Sequence, residues 1–90
     1  MYMEKQWCIY ILKCGDGSLY TGITNDLDHR IQMHSCGEGA KYTRGRGPLT
    51  LVYTEKAESY SHALRREYAI KKLKRQDKLK LIEQTTPEDR

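Results

Sequence analysis

The sequence has 90 residues, 38% apolar and 31% charged, with a formal net charge of +4 at pH 7. That is enough chain for one domain with a modest core and too little for two. No apolar run approaches the ~18 residues of a membrane-spanning helix, and the start, MYMEKQW, lacks the basic-then-apolar order of a secretory signal. The expectation is a cytoplasmic protein with no membrane partner, a single domain over residues 5–84 and a flexible polar tail at 85–90.

Residues 7–13 and 19–24 are mostly β-branched, aromatic or aliphatic, so they read as two strands joined by the turn CGDGS. The turn length decides which side chains meet. A two-residue loop at Asp16-Gly17 would set Tyr10 opposite Ile23 and send Tyr10 and Tyr20 to opposite faces. A three-residue loop, Gly15-Asp16-Gly17, sets Tyr10 opposite Gly22, with Tyr20 diagonal to it on the same face. Gly17 stands where such a loop needs a left-handed residue, which favours the second register.

TNDLDHRIQMHSCG then predicts a helix, with Asn25 or Asp26 as N-cap and Gly37 as its stop. Leu27, Arg30, Ile31 and His34 share one stripe of it, so an arginine and a histidine lie along the buried edge. By themselves they read equally as an arginine snorkelling at the core boundary and a hydrogen-bonded core histidine.

GEGAKYTRGRGP is too glycine-rich for long regular structure and presents Lys41, Tyr42, Thr43, Arg44 and Arg46. LTLVYTE, from Leu49, predicts a third strand. Ser59 or Ser61 caps a long helix from near Tyr60, in which Tyr60, Ala63, Leu64 and Ile70 surround Glu67 on one face. Asp77 opens a last short helix through Leu79 and Ile82. The order is β-β-α-β-α with this short helix appended.

Basic residues are concentrated. Residues 65–80 hold eight Lys and Arg, among them Lys71, Lys72 and Lys74, against Glu67 and Asp77. Such clustering fits a polyanionic partner, although charged helix faces are often only solvated surface. Cys8, Cys14 and Cys36 are odd in number and lack CxxC spacing, so reduced structural thiols are expected. His34-x-Cys36 with His29 fits no familiar zinc spacing. Two tyrosines on one face, Arg30, His34 and a core-facing Glu67 form an unusual polar set for so small a domain, and burying them without use is costly. Phosphodiester hydrolysis has a use for each type. A carboxylate holds a divalent ion, a guanidinium braces phosphate oxygens, and a phenol or imidazole takes the proton of the attacking water. Glu67 also reads as an i, i+4 ion pair with Lys71 on a solvated face.

CIY at 8–10, YTG at 20–22, Arg30, His34 one helical turn later and Glu67 within ALRREYAIKKL resemble the GIY-YIG nuclease superfamily, from about Trp7 to Ile82. With KYTRGRGP, the pattern is most similar to its short stand-alone bacterial members. The resemblance implies an α/β domain of the α+β type, a three-stranded antiparallel sheet flanked by helices, using one divalent metal ion, Mg²⁺ or Mn²⁺. It implies that Tyr10 and Tyr20 orient or deprotonate the attacking water, that Arg30 contacts the scissile phosphate and that His34 assists proton transfer. Glu67 is then the metal-binding carboxylate. Cys8 stands in place of the first motif glycine and Thr21 in place of the second motif's isoleucine, neither a position that supplies a catalytic side chain. The expected function is metal-dependent endonucleolytic hydrolysis of DNA rather than RNA, on structured or branched DNA in repair or recombination. The rival is a non-catalytic basic module that keeps the fold and holds nucleic acid through Lys41, Tyr42, Arg44, Arg46, Lys71, Lys72 and Lys74.

Overall fold

A computed structural model of the protein describes residues 6–37 and 43–84. Residues 1–5, the segment 38–42 with Lys41 and Tyr42, and the tail 85–90 lie outside the described residues. The elements run β1 (Trp7–Lys13), β2 (Leu19–Thr24), α1 (Leu27–Ser35), β3 (Thr50–Ala57), α2 (Tyr60–Lys71) and α3 (Arg75–Glu83). The strands form one antiparallel sheet in the order β2-β1-β3, an α+β architecture as the sequence predicts. β1 is central and covered on both faces, which is why it reads as an unbroken apolar run; Cys8 to Leu12 are all buried.

The hairpin turn fixes the register. The Gly17 amide donates to the Cys14 carbonyl at 2.9 Å, and the Cys14 amide to the Ser18 carbonyl at 2.8 Å, closing a three-residue loop with Gly17 at φ 87°. Tyr10 therefore pairs with Gly22 and Leu12 with Tyr20, the predicted register. Gly22 is required by close approach. A Cβ there would lie 2.6 Å from the Tyr10 hydroxyl oxygen, so any side chain would push the ring out of place.

Period-two alternation divides the sheet into two working faces. Ile9 and Ile11 cluster with Tyr53, Ala57, Ala63 and Ile70, with Trp7, Ile23, Leu81 and Ile82 packed around them, so α2 and α3 cover this side. A register shift between Ile11 and Leu12 on the β1/β3 pair lets Val52 join Tyr53 against the same core. The other face carries Cys8, Tyr10, Tyr20 and Gly22, and α1 covers it.

The Asp26 carboxylate caps α1, accepting from the His29 amide at 3.5 Å, and Ser59 Oγ caps α2, accepting from the His62 amide at 3.1 Å. α3 begins at Arg75, so Asp77 lies inside its first turn rather than opening it. The apolar stripe of α2 is narrower than expected. Ala63 and Ile70 are fully buried, whereas Tyr60 and Leu64 face solvent, Tyr60 leaning on Trp7 with ring centroids 4.9 Å apart.

The loop from Thr43 to Pro48 is tied to the hairpin tip. The Gly15 amide donates to the Arg46 carbonyl at 2.6 Å, and the Arg46 guanidinium pairs with the Asp16 carboxylate at 2.6 Å. Asp16 also accepts from the amide and hydroxyl of Ser18, and these bonds, with Arg46, hold its carboxyl down to about 2. Arg75 reaches the Gly17 carbonyl at 2.8 Å from α3.

Thr21 sits opposite Ile11, 3% exposed on the apolar face, and its hydroxyl has no partner among the described residues. An unpaired buried hydroxyl costs about 1–3 kcal/mol. Thr21→Val keeps the shape and removes the hydroxyl, so urea unfolding should show a gain of about 1 kcal/mol; a loss would mean that the hydroxyl is satisfied.

Candidate active site

The predicted register brings the Tyr10 and Tyr20 rings together, centroids 6.2 Å apart, on the face beneath α1. On α1, Arg30 and His34 lie one turn apart and both point at this pair. The Tyr10 hydroxyl is 2.9 Å from His34 Nε2, and Arg30 Nε donates to that hydroxyl at 3.4 Å. The Tyr20 ring lies edge-on to the His34 imidazole at 5.3 Å, and its hydroxyl is within side-chain hydrogen-bonding reach of Tyr10 and Arg30. Four of the five expected catalytic and metal-binding residues thus form one cluster.

The fifth is elsewhere. Glu67 lies between Ala63 and Ile70 on the core-facing stripe of α2, with its side chain 18% exposed, and pairs with Lys71 Nζ at 3.3 Å. α2 packs against the Ile9/Ile11 face, whereas the tyrosines rise from the opposite one. Among the described residues, no hydrogen bond or ion pair joins Glu67 to the tyrosine cluster.

Sequence reasoning missed Thr43 as part of the site. It is 2% exposed, and its hydroxyl oxygen is 2.8 Å from His34 Nδ1. A threonine in a glycine- and arginine-rich loop reads as surface. The only signal was its position, inside a segment otherwise suited to carry cations.

A consistent proton arrangement follows from these partners. Arg30 can only donate, so the Tyr10 oxygen accepts from it and directs its own proton to His34 Nε2, leaving the His34 Nδ1–H to donate to Thr43. Burial, opposed in part by Arg30, pushes the Tyr10 phenol up to about 12, so it stays protonated at neutral pH. Burial and then the charge of Arg30 push the His34 imidazole down, so it stays neutral. A protonated phenol beside a neutral imidazole is a proton donor beside an acceptor.

Neither His29 nor Cys36 completes a zinc site, since both ring nitrogens of His34 are engaged by Tyr10 and Thr43. Cys8, Cys14 and Cys36 are free thiols, and burial raises Cys8. The described residues contain no group of three or more His, Cys, Asp or Glu able to cage a metal. The remaining candidates are peripheral. Arg44 donates to the Gly37 carbonyl at 3.2 Å, Arg46 pairs with Asp16, Lys72 sits over the Tyr68 ring at 4.4 Å, and Lys74 is exposed.

The Thr43 bond has a measurable consequence. Thr43→Val removes the described partner of His34 Nδ1, a loss of about 1 kcal/mol or more, and Thr43→Ser should restore most of it. The folded pKa of His34 lies below its unfolded value of about 6.5. Its contribution to stability is therefore complete above that value and is lost as pH falls through the folded one. Urea denaturation of the wild type should show this decline between about pH 7 and 5; a stability that rises on acidification in this window would contradict the buried neutral imidazole.

Comparison with known proteins places the chain in a family. Residues 6–80 match the GIY-YIG catalytic domain. The chain is 58% identical over 81 residues to a UPF0213 protein of Oceanobacillus iheyensis, covering 90% of this chain and 94% of that one. It is 62% identical over 74 residues to a UPF0213 protein of Clostridium perfringens, covering 82% and 80%. The solution NMR structure of a UPF0213 protein from Bacillus halodurans superposes with a TM-score of 0.61 at 48% identity, covering 93% of this chain and 90% of that one. A protein of E. faecalis superposes with a TM-score of 0.63 at 40% identity over the same shares of the two chains. The chain belongs to the GIY-YIG catalytic domain family.

Proposed function

We propose that the protein is a divalent-metal-dependent endonuclease that hydrolyses phosphodiester bonds in DNA. The observation that carries this reading is the buried Tyr10–His34–Thr43 chain with Arg30 on the Tyr10 hydroxyl. Tyr10 is fully buried without substrate, so the step requires the cluster to open on binding; a water between it and a phosphate then gives a proton to the Tyr10 oxygen while Tyr10 passes its own to His34 Nε2. Tyr10 never has to ionise freely, which its raised pKa forbids. The resulting hydroxide attacks phosphorus, one ester oxygen leaves and takes a proton from solvent water, and the His34 imidazolium later returns its proton through Tyr10. Thr43 accepts from the imidazolium that forms, and the other N–H groups of Arg30 face the non-bridging oxygens. Arg30 disfavours the imidazolium when the site is empty, and a phosphate that neutralises Arg30 lifts this penalty.

Glu67 is the residue that would hold the metal; it lies on α2, over the sheet face opposite the tyrosine cluster, so the substrate has to span the edge of the sheet between them. One hard carboxylate suits Mg²⁺ or Mn²⁺, which keep several waters and take substrate oxygens, and does not suit a cation needing a protein cage. When bound, such an ion supplies charge neutralisation at the phosphate and the leaving oxygen. The ion pair with Lys71 is the observation that favours the second reading, a basic nucleic-acid-binding module without turnover. Arg44, Lys71, Lys72 and Lys74 are exposed and would contact phosphates in either case, together with Lys41 and Tyr42, which lie outside the described residues. Arg46 already has Asp16 as a partner and contributes less.

Cleavage of supercoiled and branched DNA, with Mg²⁺ or Mn²⁺ against chelator, separates the two. The nuclease reading predicts metal-dependent cutting whose rate rises with pH through the depressed His34 pKa and is flat from about pH 7 to 9. Tyr10→Phe and His34→Ala should each lower it by about 10²–10⁴-fold. Glu67→Gln should lower it by at least about 10²-fold and weaken metal binding in calorimetry while DNA binding holds or strengthens. Wild-type protein that binds these DNAs and cuts none of them sinks the proposal.

A further inference from the structure

One face of α2 is turned to solvent and meets the core only where Tyr60 leans on Trp7. Tyr60, Leu64 and Tyr68, four residues apart, are 53%, 40% and 64% exposed. They form a row along the helix with steps of about 6 Å, from a rise of about 1.5 Å per residue. Single exposed apolar side chains are ordinary, but a row holding two aromatics is not. Trp7 steadies Tyr60, and the Lys72 ammonium lies 4.4 Å from the Tyr68 ring centroid. The row is bordered by the Glu67–Lys71 ion pair on one side and Arg65 on the other, with Lys72 and Lys74 at its end, so cations outnumber the single carboxylate around it.

We propose that this row is a stacking platform for unpaired bases, a second binding surface that holds a single-stranded segment of the DNA substrate. It rests on the DNA reading above. Aromatic faces interleaved with cations suit a single strand, because each base brings a π-face and each linkage a phosphate. A protein partner seated on an apolar row has no use for this border of positive charge, which it would have to desolvate. Paired bases are stacked on one another and cannot lie on Tyr68, so the surface discriminates between unpaired and paired DNA. Its placement points the same way. α2 covers the sheet face opposite the tyrosine cluster, so DNA touching both must turn around the sheet. A single strand bends that tightly with ease, whereas a duplex has a persistence length of about 150 bp.

The test is fluorescence anisotropy of the full chain with labelled oligo-dT and with a fully paired hairpin whose loop is a non-nucleotide linker, in chelator and over a salt series. Tyr68→Ala should weaken oligo-dT binding by at least about fivefold, the low end for losing one base–aromatic stack. It should leave hairpin binding unchanged and should not alter the slope of log affinity against log salt, since stacking releases no counterion. Tyr68→Phe keeps the ring and should bind as the wild type does. Lys74→Ala should weaken both ligands and flatten the oligo-dT slope by about 0.7. Tyr68 is exposed, so circular dichroism should find the variants folded. Tyr68→Ala binding oligo-dT as tightly as wild type, or losing equally on the hairpin, overturns the proposal. So does a wild-type dimer in sedimentation that Tyr68→Ala dissolves, because the row then joins two copies of the chain. Protein that holds oligo-dT through Tyr68 but cuts no DNA supports the platform while ending the nuclease reading.

Discussion

The site depends on one buried hydroxyl. Tyr10 is fully buried in the central strand, and its phenol oxygen is the only described atom that meets both the cation of Arg30 and the imidazole of His34. A polar group so placed would be costly if unpaired. It is satisfied in both senses, accepting from one side and donating to the other. That double engagement also gives it direction, because a hydroxyl with a fixed acceptor has a fixed proton. His34 is in turn fixed by Thr43. The order therefore runs from the central strand through α1 to the loop after it, and each residue in the series is held by the next.

Everything upstream serves to place that hydroxyl. Gly17 adopts the left-handed conformation that closes a three-residue loop, and this loop puts Tyr10 opposite Gly22 rather than Ile23. A one-residue slip would exchange the faces of every side chain on β2. It would point Tyr20 into the Ile9/Ile11 core and an isoleucine at the site. The hairpin tip is also the anchor of the Thr43–Pro48 loop, through Gly15, Asp16 and Arg46, so the same turn that sets the register holds the loop carrying Thr43. The two faces of the sheet consequently do different work. One is closed by Ala63 and Ile70 and supplies the core; the other keeps its polar groups paired among themselves under α1.

The parts of this arrangement that follow local rules were legible in the sequence. Strand alternation and the glycine at the turn are sufficient to bring Tyr10 and Tyr20 together, and the stripe of α1 puts Arg30 beside His34, because each depends on spacing within a single element or hairpin; that α1 covers the tyrosine face came only from the family resemblance. Thr43 was not legible, since its burial comes from a loop docking on a distant turn. Helix periodicity put Glu67 on the inner stripe of α2, where it is found, but periodicity is silent on which sheet face that helix covers. The outward rotation of Tyr60 and Leu64 was missed for a similar reason: the width of a buried stripe is set by the partner surface, here a sheet that accommodates little more than Ala63 and Ile70.

The central claim is that His34 is a neutral imidazole whose Nε2 waits for the proton of Tyr10 and whose Nδ1–H is engaged by Thr43. Long-range ¹H–¹⁵N correlation NMR of the metal-free wild-type protein across a pH titration reads this state directly. The expected result is a protonated Nδ1 and a bare Nε2 that persist below the ordinary histidine value of about 6.5. A His34 that carries its proton on Nε2, or that titrates like a free histidine, would contradict it.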